Sequence, residues 1–254
     1  MKRRLILGLG LLLAGSALAA DLPTTLKSVK PSVVGVGTFM ALRQQQDQLS
    51  GTGFVVGDGR HLVTSAHVVP TELDEGRRET VAVYVPAGGN QAERRPARVV
   101  KRDRTHDLCL LRFEGSGLPA LRLGRSADVQ EGALYAFTGF PILAALGLRP
   151  VTHRGTVSAI TPIILPLASG KDITPENLRK LSRPFDVFQL DATAYPGNSG
   201  SPLYEIETGR VVGVINSVFV KGTKEMALSA PSGISYAIPV DFVRRLLDGA
   251  GLKY

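Results

Sequence analysis

The chain has 254 residues, 30 Lys and Arg against 22 Asp and Glu, a formal net charge of +8, one cysteine and no tryptophan. One cysteine excludes an intramolecular disulfide. Scattered arginines in a chain only 20% charged argue against nucleic acid as a partner, and the length is enough to bury a sizeable core in one unit or two fused halves.

The first residues read as an export leader. Lys2, Arg3 and Arg4 are followed by a short apolar stretch from Leu5 to Ala14, and Ala17-Leu18-Ala19 has small residues where a signal peptidase cuts. Cleavage is expected after Ala19, with Ala20 as the second choice, so residues 1–19 form the leader and 20–254 the mature domain. The alternative is an uncleaved anchor. No cysteine lies nearby to carry a lipid, and no other apolar run reaches membrane length. The expected product is a periplasmic or secreted protein without a stable membrane anchor. Its net charge is about +5 once the three leader cations are gone, enough for weak attraction to anionic envelope surfaces.

Short apolar segments then follow one another between Gly, Pro and Asp turns. Strands are expected at Val33 to Phe39, Gly53 to Gly59, Leu62 to Thr64, Val81 to Val85, Ala97 to Val100 and Leu108 to Phe113. Beyond a divide near Leu123-Gly124-Arg125, a second series runs at Ala133 to Phe137, Val151 to Ile160, Val187 to Leu190, Pro202 to Tyr204, Val211 to Ile215 and Gly233 to Ile238. This spacing predicts an all-β barrel or sandwich. One closing helix is expected. Pro239 suits its first turn, Phe242, Val243, Leu246 and Leu247 share a face, and Gly249 ends it. A weaker helical piece spans Thr174 to Leu181. Met40 to Ser50 and Lys221 to Ser232 read as polar loops.

Three segments carry chemistry. His67 lies in Thr64-Ser65-Ala66-His67-Val68, Asp107 opens Asp107-Leu108-Cys109-Leu110-Leu111, and Ser199 sits in Gly197-Asn198-Ser199-Gly200-Ser201-Pro202. A serine hydroxyl needs a base to take its proton as it attacks, and imidazole has the right basicity. A carboxylate behind the ring holds the tautomer. Gly197 and Ser199 are candidate oxyanion donors through their backbone N–H groups. The order His, Asp, Ser differs from the orders on subtilisin and α/β-hydrolase folds, so it points to fold as well as reaction. Cys109, inside an apolar run, reads as a buried hydrophobe. His61, His106 and His153 read as surface or local structural residues without partners. They show no metal-ligand spacing, and no metal or cofactor is expected.

These segments resemble the HtrA/Deg family of chymotrypsin-fold, trypsin-like serine peptidases. Ser50-Gly51-Thr52-Gly53-Phe54-Val55-Val56, Asp103 to Leu111, Gly155 to Ile160, Leu190-Asp191-Ala192 and Ala230 to Pro239 are similar to family stretches, and the likeness covers Val33 to Leu247. The resemblance implies two six-stranded antiparallel β-barrels of chymotrypsin-like form with a short C-terminal helix, one about 30–123 and the other about 126–254. It implies His67, Asp107 and Ser199 as the triad. The chain stops soon after the closing helix, so the PDZ modules common in the family are expected to be lacking. Asp21 to Val34 has none of the aromatic residues through which many members trimerise, so no oligomeric state is implied. Asn198 stands where digestive enzymes use aspartate to bind a new N-terminus, so that switch is not expected.

Thr193, Ala194 and Tyr195 are the expected wall of the specificity pocket, without a carboxylate to select Lys or Arg. Asn216, Ser217 and Val218 are expected opposite, pairing with substrate backbone by strand addition. The function expected is an exported serine endopeptidase acting on unfolded or damaged envelope proteins through an acyl-enzyme. The alternative is a non-catalytic or latent strand-binding module on the same scaffold, with the segments Thr161 to Asp186 and Lys221 to Ser232 as loops that order on activation.

Overall fold

The computed structural model describes residues 21–89, 91–141, 148–163, 184–216 and 233–254. The expected leader, the helical piece at 174–181 and the polar loop at 221–232 lie outside them.

Helix α1 (Leu22–Val29) precedes the first barrel. Sequence reading missed it, because eight residues with two threonines and one valine carry little helical signal. Its start is nevertheless well specified: Asp21 Oδ1 accepts from Thr24 N–H at 3.0 Å, and Pro23 sits in the first turn. Thr25 and Val29 are buried, and Thr25 Oγ1 donates to Ile206 O at 2.6 Å.

The first barrel comprises β1 (Val33–Phe39), β2 (Asp47–Val56), β3 (His61–Ser65), β4 (Thr80–Pro86), β5 (Ala92–Asp103) and β6 (Leu108–Phe113). The second comprises β7 (Leu134–Gly139), β8 (Val151–Pro162), β9 (Asp186–Asp191), β10 (Pro202–Glu205), β11 (Val211–Asn216) and β12 (Ile234–Pro239). Each closes as a six-stranded antiparallel barrel, in the orders β1-β2-β3-β6-β5-β4 and β10-β11-β12-β9-β8-β7. This is the chymotrypsin-like architecture expected.

Strands that read as continuous apolar runs are covered on both faces. In β6, Cys109 and Leu111 point into the first barrel with Val34, Val55, Leu62 and Val83. Leu108 and Leu110 point outward into a second cluster, which also takes Tyr204, Val211 and Val214 from the other barrel. The Cys109 thiol is fully buried, and burial pushes it up to about 11, which fits an unreactive filler.

Two strands are longer than expected. β2 begins at Asp47, within the stretch read as a polar loop, because its first four residues alternate between half-buried and exposed. β5 runs from Ala92 to Asp103 because Glu93, Arg94, Arg98 and Lys101 face solvent, buried Arg95 pairs with Glu93, and the strand pairs with β4 and β6. Gly37 sits at a bulge in the β1–β2 pair, where a Cβ would lie 2.0 Å from Gln48 O.

Helix α2 (Val240–Asp248) closes the chain and ends at Gly249 as expected, but Pro239 is its N-cap and not a first-turn residue. Val240, Val243, Leu246 and Leu247 are buried in the cluster shared by both barrels. Lys101 Nζ, from β5, donates to Gly249 O at 2.8 Å. The helix therefore ties the end of β5 to the second barrel.

Candidate active site

His67 lies in a 3-10 turn (Ala66–Val68) that follows β3. Asp107 lies in the short connection from β5 to β6, in left-handed backbone at φ 53°. Asp is among the few residues that tolerate this region. The conformation lets one residue grip the whole turn. Asp107 O accepts from Ala66 N–H at 2.8 Å, Oδ1 accepts from His67 N–H at 3.0 Å, and Oδ2 faces His67 Nδ1 at 2.6 Å. A carboxylate on Nδ1 favours the tautomer with its proton there, which leaves Nε2 as the basic nitrogen. The His67 side chain is 31% exposed and Asp107 15%, so the ring edge is open while the carboxylate is covered.

Ser199 is 6% exposed and sits in a turn anchored to both barrels. Ser199 O accepts from Thr52 N–H at 2.9 Å, and Gly200 N–H donates to Ile215 O at 2.8 Å. Thr52 Oγ1 donates to Gly197 O at 2.7 Å. Gly200 has φ 88°, and a Cβ there would meet Thr52 O at 2.0 Å and Ser65 N at 3.0 Å. The serine turn thus lies directly against the strand end that leads into His67. Only glycine permits that approach.

The amides of the turn divide into two sets. Asn198 N–H donates to Tyr195 O, Gly200 N–H to Ile215 O and Ser201 N–H to Asn198 O. Among the described residues the N–H groups of Gly197 and Ser199 have no acceptor. Also among the described residues, Ser199 Oγ makes no hydrogen bond, so the link from hydroxyl to imidazole is not closed. Such contacts often tighten only when substrate is bound.

The expected pocket is placed only in part. Thr193, Ala194 and Tyr195 are half-buried, with Ala194 packed on the second-barrel core. Ser217 and Val218 lie outside the described residues. Asn216 differs from expectation: it is buried, and its Nδ2 donates to Asp107 Oδ2 at 2.7 Å. Its side chain supports the carboxylate. No sequence signal marks this, because the contact crosses from one barrel to the other.

His61 and His106 keep the local structural role expected but have partners that were not expected. His61 is buried with Nδ1 2.8 Å from Asp58 Oδ1, and His106 Nδ1 lies 2.6 Å from Asp103 Oδ2. The carboxylate three residues before each was the available signal. His153 stacks on Phe137 with centroids 4.9 Å apart and stands 6.2 Å from the Tyr195 ring. Burial holds the His153 imidazole below its ordinary pKa. Among the described residues, no three His, Cys, Asp or Glu side chains are grouped as metal ligands.

Comparison with known proteins agrees with this geometry. The family model of the trypsin-like peptidase domain matches residues 51–214. A "Probable periplasmic serine endoprotease DegP-like" of Pseudomonas fluorescens is 30% identical over 199 residues, covering 78% of this chain and 34% of the relative. "Serine protease HTRA2, mitochondrial" of Drosophila pseudoobscura pseudoobscura is 31% identical over 201 residues, covering 79% of this chain and 39% of that one. The chain therefore spans little more than a third of these curated relatives. An HtrA-type protease solved with a tripeptide shares the fold at a TM-score of 0.64 and 23% identity, over 91% of this chain and 63% of its own. Matched over most of its length and built on two closed barrels, the chain belongs to the trypsin-like peptidase domain family, among relatives of HtrA and DegP type.

Proposed function

We propose that this chain is a serine endopeptidase with His67, Asp107 and Ser199 as its triad. The carrying observation is the double grip of Asp107 on His67, backbone and ring together, beside a serine turn with two amides left over. In this reading His67 Nε2 takes the Ser199 proton as Oγ attacks the scissile carbonyl. Asp107 stabilises the imidazolium that results. The carbonyl oxygen becomes an oxyanion held by the N–H groups of Gly197 and Ser199. His67 then passes its proton to the leaving amine as the C–N bond breaks. Water, deprotonated by the same imidazole, attacks the acyl-enzyme and regenerates Ser199.

The substrate is an extended polypeptide. Thr193, Ala194 and Tyr195 bear no negative charge, so an apolar residue before the cut bond is favoured over Lys or Arg. The DegP-like names of the relatives support a periplasmic site of action on unfolded or damaged envelope proteins. The unclosed Ser199–His67 link favours a latent resting state that substrate completes.

The test is Ser199→Ala with fluorophosphonate labelling and casein cleavage, and both are expected to vanish. Unchanged labelling would remove Ser199 from the chemistry. Activity that appears only with denatured protein or added peptide would support latency. A digest profile rich in cuts after Lys or Arg would overturn the pocket assignment.

A further inference from the structure

The two turns that carry His67 and Asp107 are both held by one dipeptide at the end of β5. Arg102 Nη1 donates to Ala66 O and to Val69 O, each at 2.8 Å, and its Nη2 donates to Pro70 O at 3.1 Å. These carbonyls bracket His67 on both sides. Among the described residues Arg102 has no carboxylate partner, so its fork is spent on the backbone of this turn. A planar guanidinium can bridge three converging carbonyls, whereas an ammonium is a single point of charge.

Asp103, the next residue, holds the other turn. Its Oδ1 accepts from His106 N–H at 3.1 Å, and its Oδ2 faces His106 Nδ1 at 2.6 Å. This repeats, four residues earlier in the chain, the two-point grip of Asp107 on His67. The second pair is half-buried, and its ring is packed: the His106 ring lies 3.8 Å from the Phe242 ring of α2 and 4.7 Å from Phe185. With aromatic rings packed on the imidazole, the pair holds shape. Burial of Asp103 disfavours its charge, but the His106 bonds outweigh this and keep the carboxylate below its ordinary pKa. The turn it closes leads straight into the left-handed backbone of Asp107, a conformation that persists only when neighbours enforce it.

The geometry points to Arg102 and Asp103 as positioning residues for the active site, Arg102 setting the His67 turn and Asp103 setting the Asp107 turn through His106. The inference rests on the triad proposed above. It adds that the distance between imidazole and carboxylate is set from β5, where the two residues stand opposite Cys109 and Leu108 of β6.

The test uses the full chain with Arg102→Met, Arg102→Lys and Asp103→Ala. Fluorophosphonate titration counts competent sites, and an activated ester gives acylation and deacylation rates per titrated site. Arg102→Met and Asp103→Ala are expected to keep most titratable sites, leave KM unchanged and slow both steps by about 10²-fold per site, the cost of a misplaced base. Arg102→Lys is expected to recover little, since it restores charge without the fork. Loss of titratable sites at normal rates per site would make the pair merely structural and overturn the proposal, as would unchanged rates. Proton NMR of the His67 Nδ1–H, hydrogen-bonded to Asp107, gives a readout independent of catalysis. Its low-field resonance is expected to weaken in both variants. A resonance unchanged in both variants would sink the brace. A wild-type chain that neither labels nor turns over would sink the triad alone.

Discussion

Asn216 Nδ2, on β11 of the second barrel, donates at 2.7 Å to Asp107 Oδ2, on the first. The same oxygen faces His67 Nδ1, so one carboxylate atom joins the two barrels to the imidazole. The orientation of the ring therefore depends on how the barrels pack.

This relationship ranks two substitutions. Asp107→Asn removes the charge and favours the wrong tautomer, and is expected to lower kcat by about 10⁴-fold with the fold intact. Asn216→Ala removes one hydrogen bond to a charged group, worth about 1.5–3 kcal/mol, and is expected to lower kcat/KM by roughly 10- to 100-fold. Steady-state kinetics on a peptide ester, with circular dichroism as the fold control, separates them. Equal losses would mean that Asn216 does more than steady the carboxylate.

Gly200→Ala tests the contact between the serine turn and the histidine strand. The added methyl would stand 2.0 Å from Thr52 O and 2.5 Å from Thr64 Oγ1, at a φ that alanine resists. Fluorophosphonate labelling is expected to disappear and thermal stability to fall. Normal labelling in this variant would contradict the described turn.

Cys109 is expected to stay unmodified by a thiol reagent at pH 8 in the native protein and to react once the chain is unfolded, because burial holds the thiol up at about 11. Cys109→Ala is expected to be tolerated better than Cys109→Asp, which would bury a charge among Val34, Leu62 and Val83. Mass spectrometry of labelled protein and thermal melts check both statements.

His153 predicts a pH dependence of stability. Its folded pKa lies below the ordinary 6.5 because burial disfavours the imidazolium. Between the two values the unfolded chain binds more protons than the native one, so stability falls as pH drops below 6.5. The contribution is fully present above that pH. His153→Phe keeps an aromatic ring on Phe137 and removes the titration, so its melting temperature is expected to fall less between about pH 7.5 and 5.5. Parallel curves for the two proteins would discharge His153 from this role.

Much of the architecture was legible because strands covered on both faces leave unbroken apolar runs such as Leu108 to Leu111, and Gly-rich turns punctuate them. Helix α1 was not legible, since its hold comes from Asp21 and from the contact of Thr25 with Ile206, 181 positions away. β5 was half legible: Ala97 to Val100 read as strand, whereas Glu93 and Arg94 lay outside it until the pairing with β4 accounts for them.

Read alone, the sequence determined an all-β barrel or sandwich, the order His67, Asp107, Ser199 and the glycines the serine turn requires, because residue type and local spacing carry that information. Only the tertiary structure decided that Asn216 donates to Asp107, that Arg102 donates to the carbonyls on both sides of His67, and that the His106 ring packs on Phe242. Those contacts arise between segments that meet only when barrels close and pack, and a hydrogen bond across such a seam leaves no period or motif in the chain.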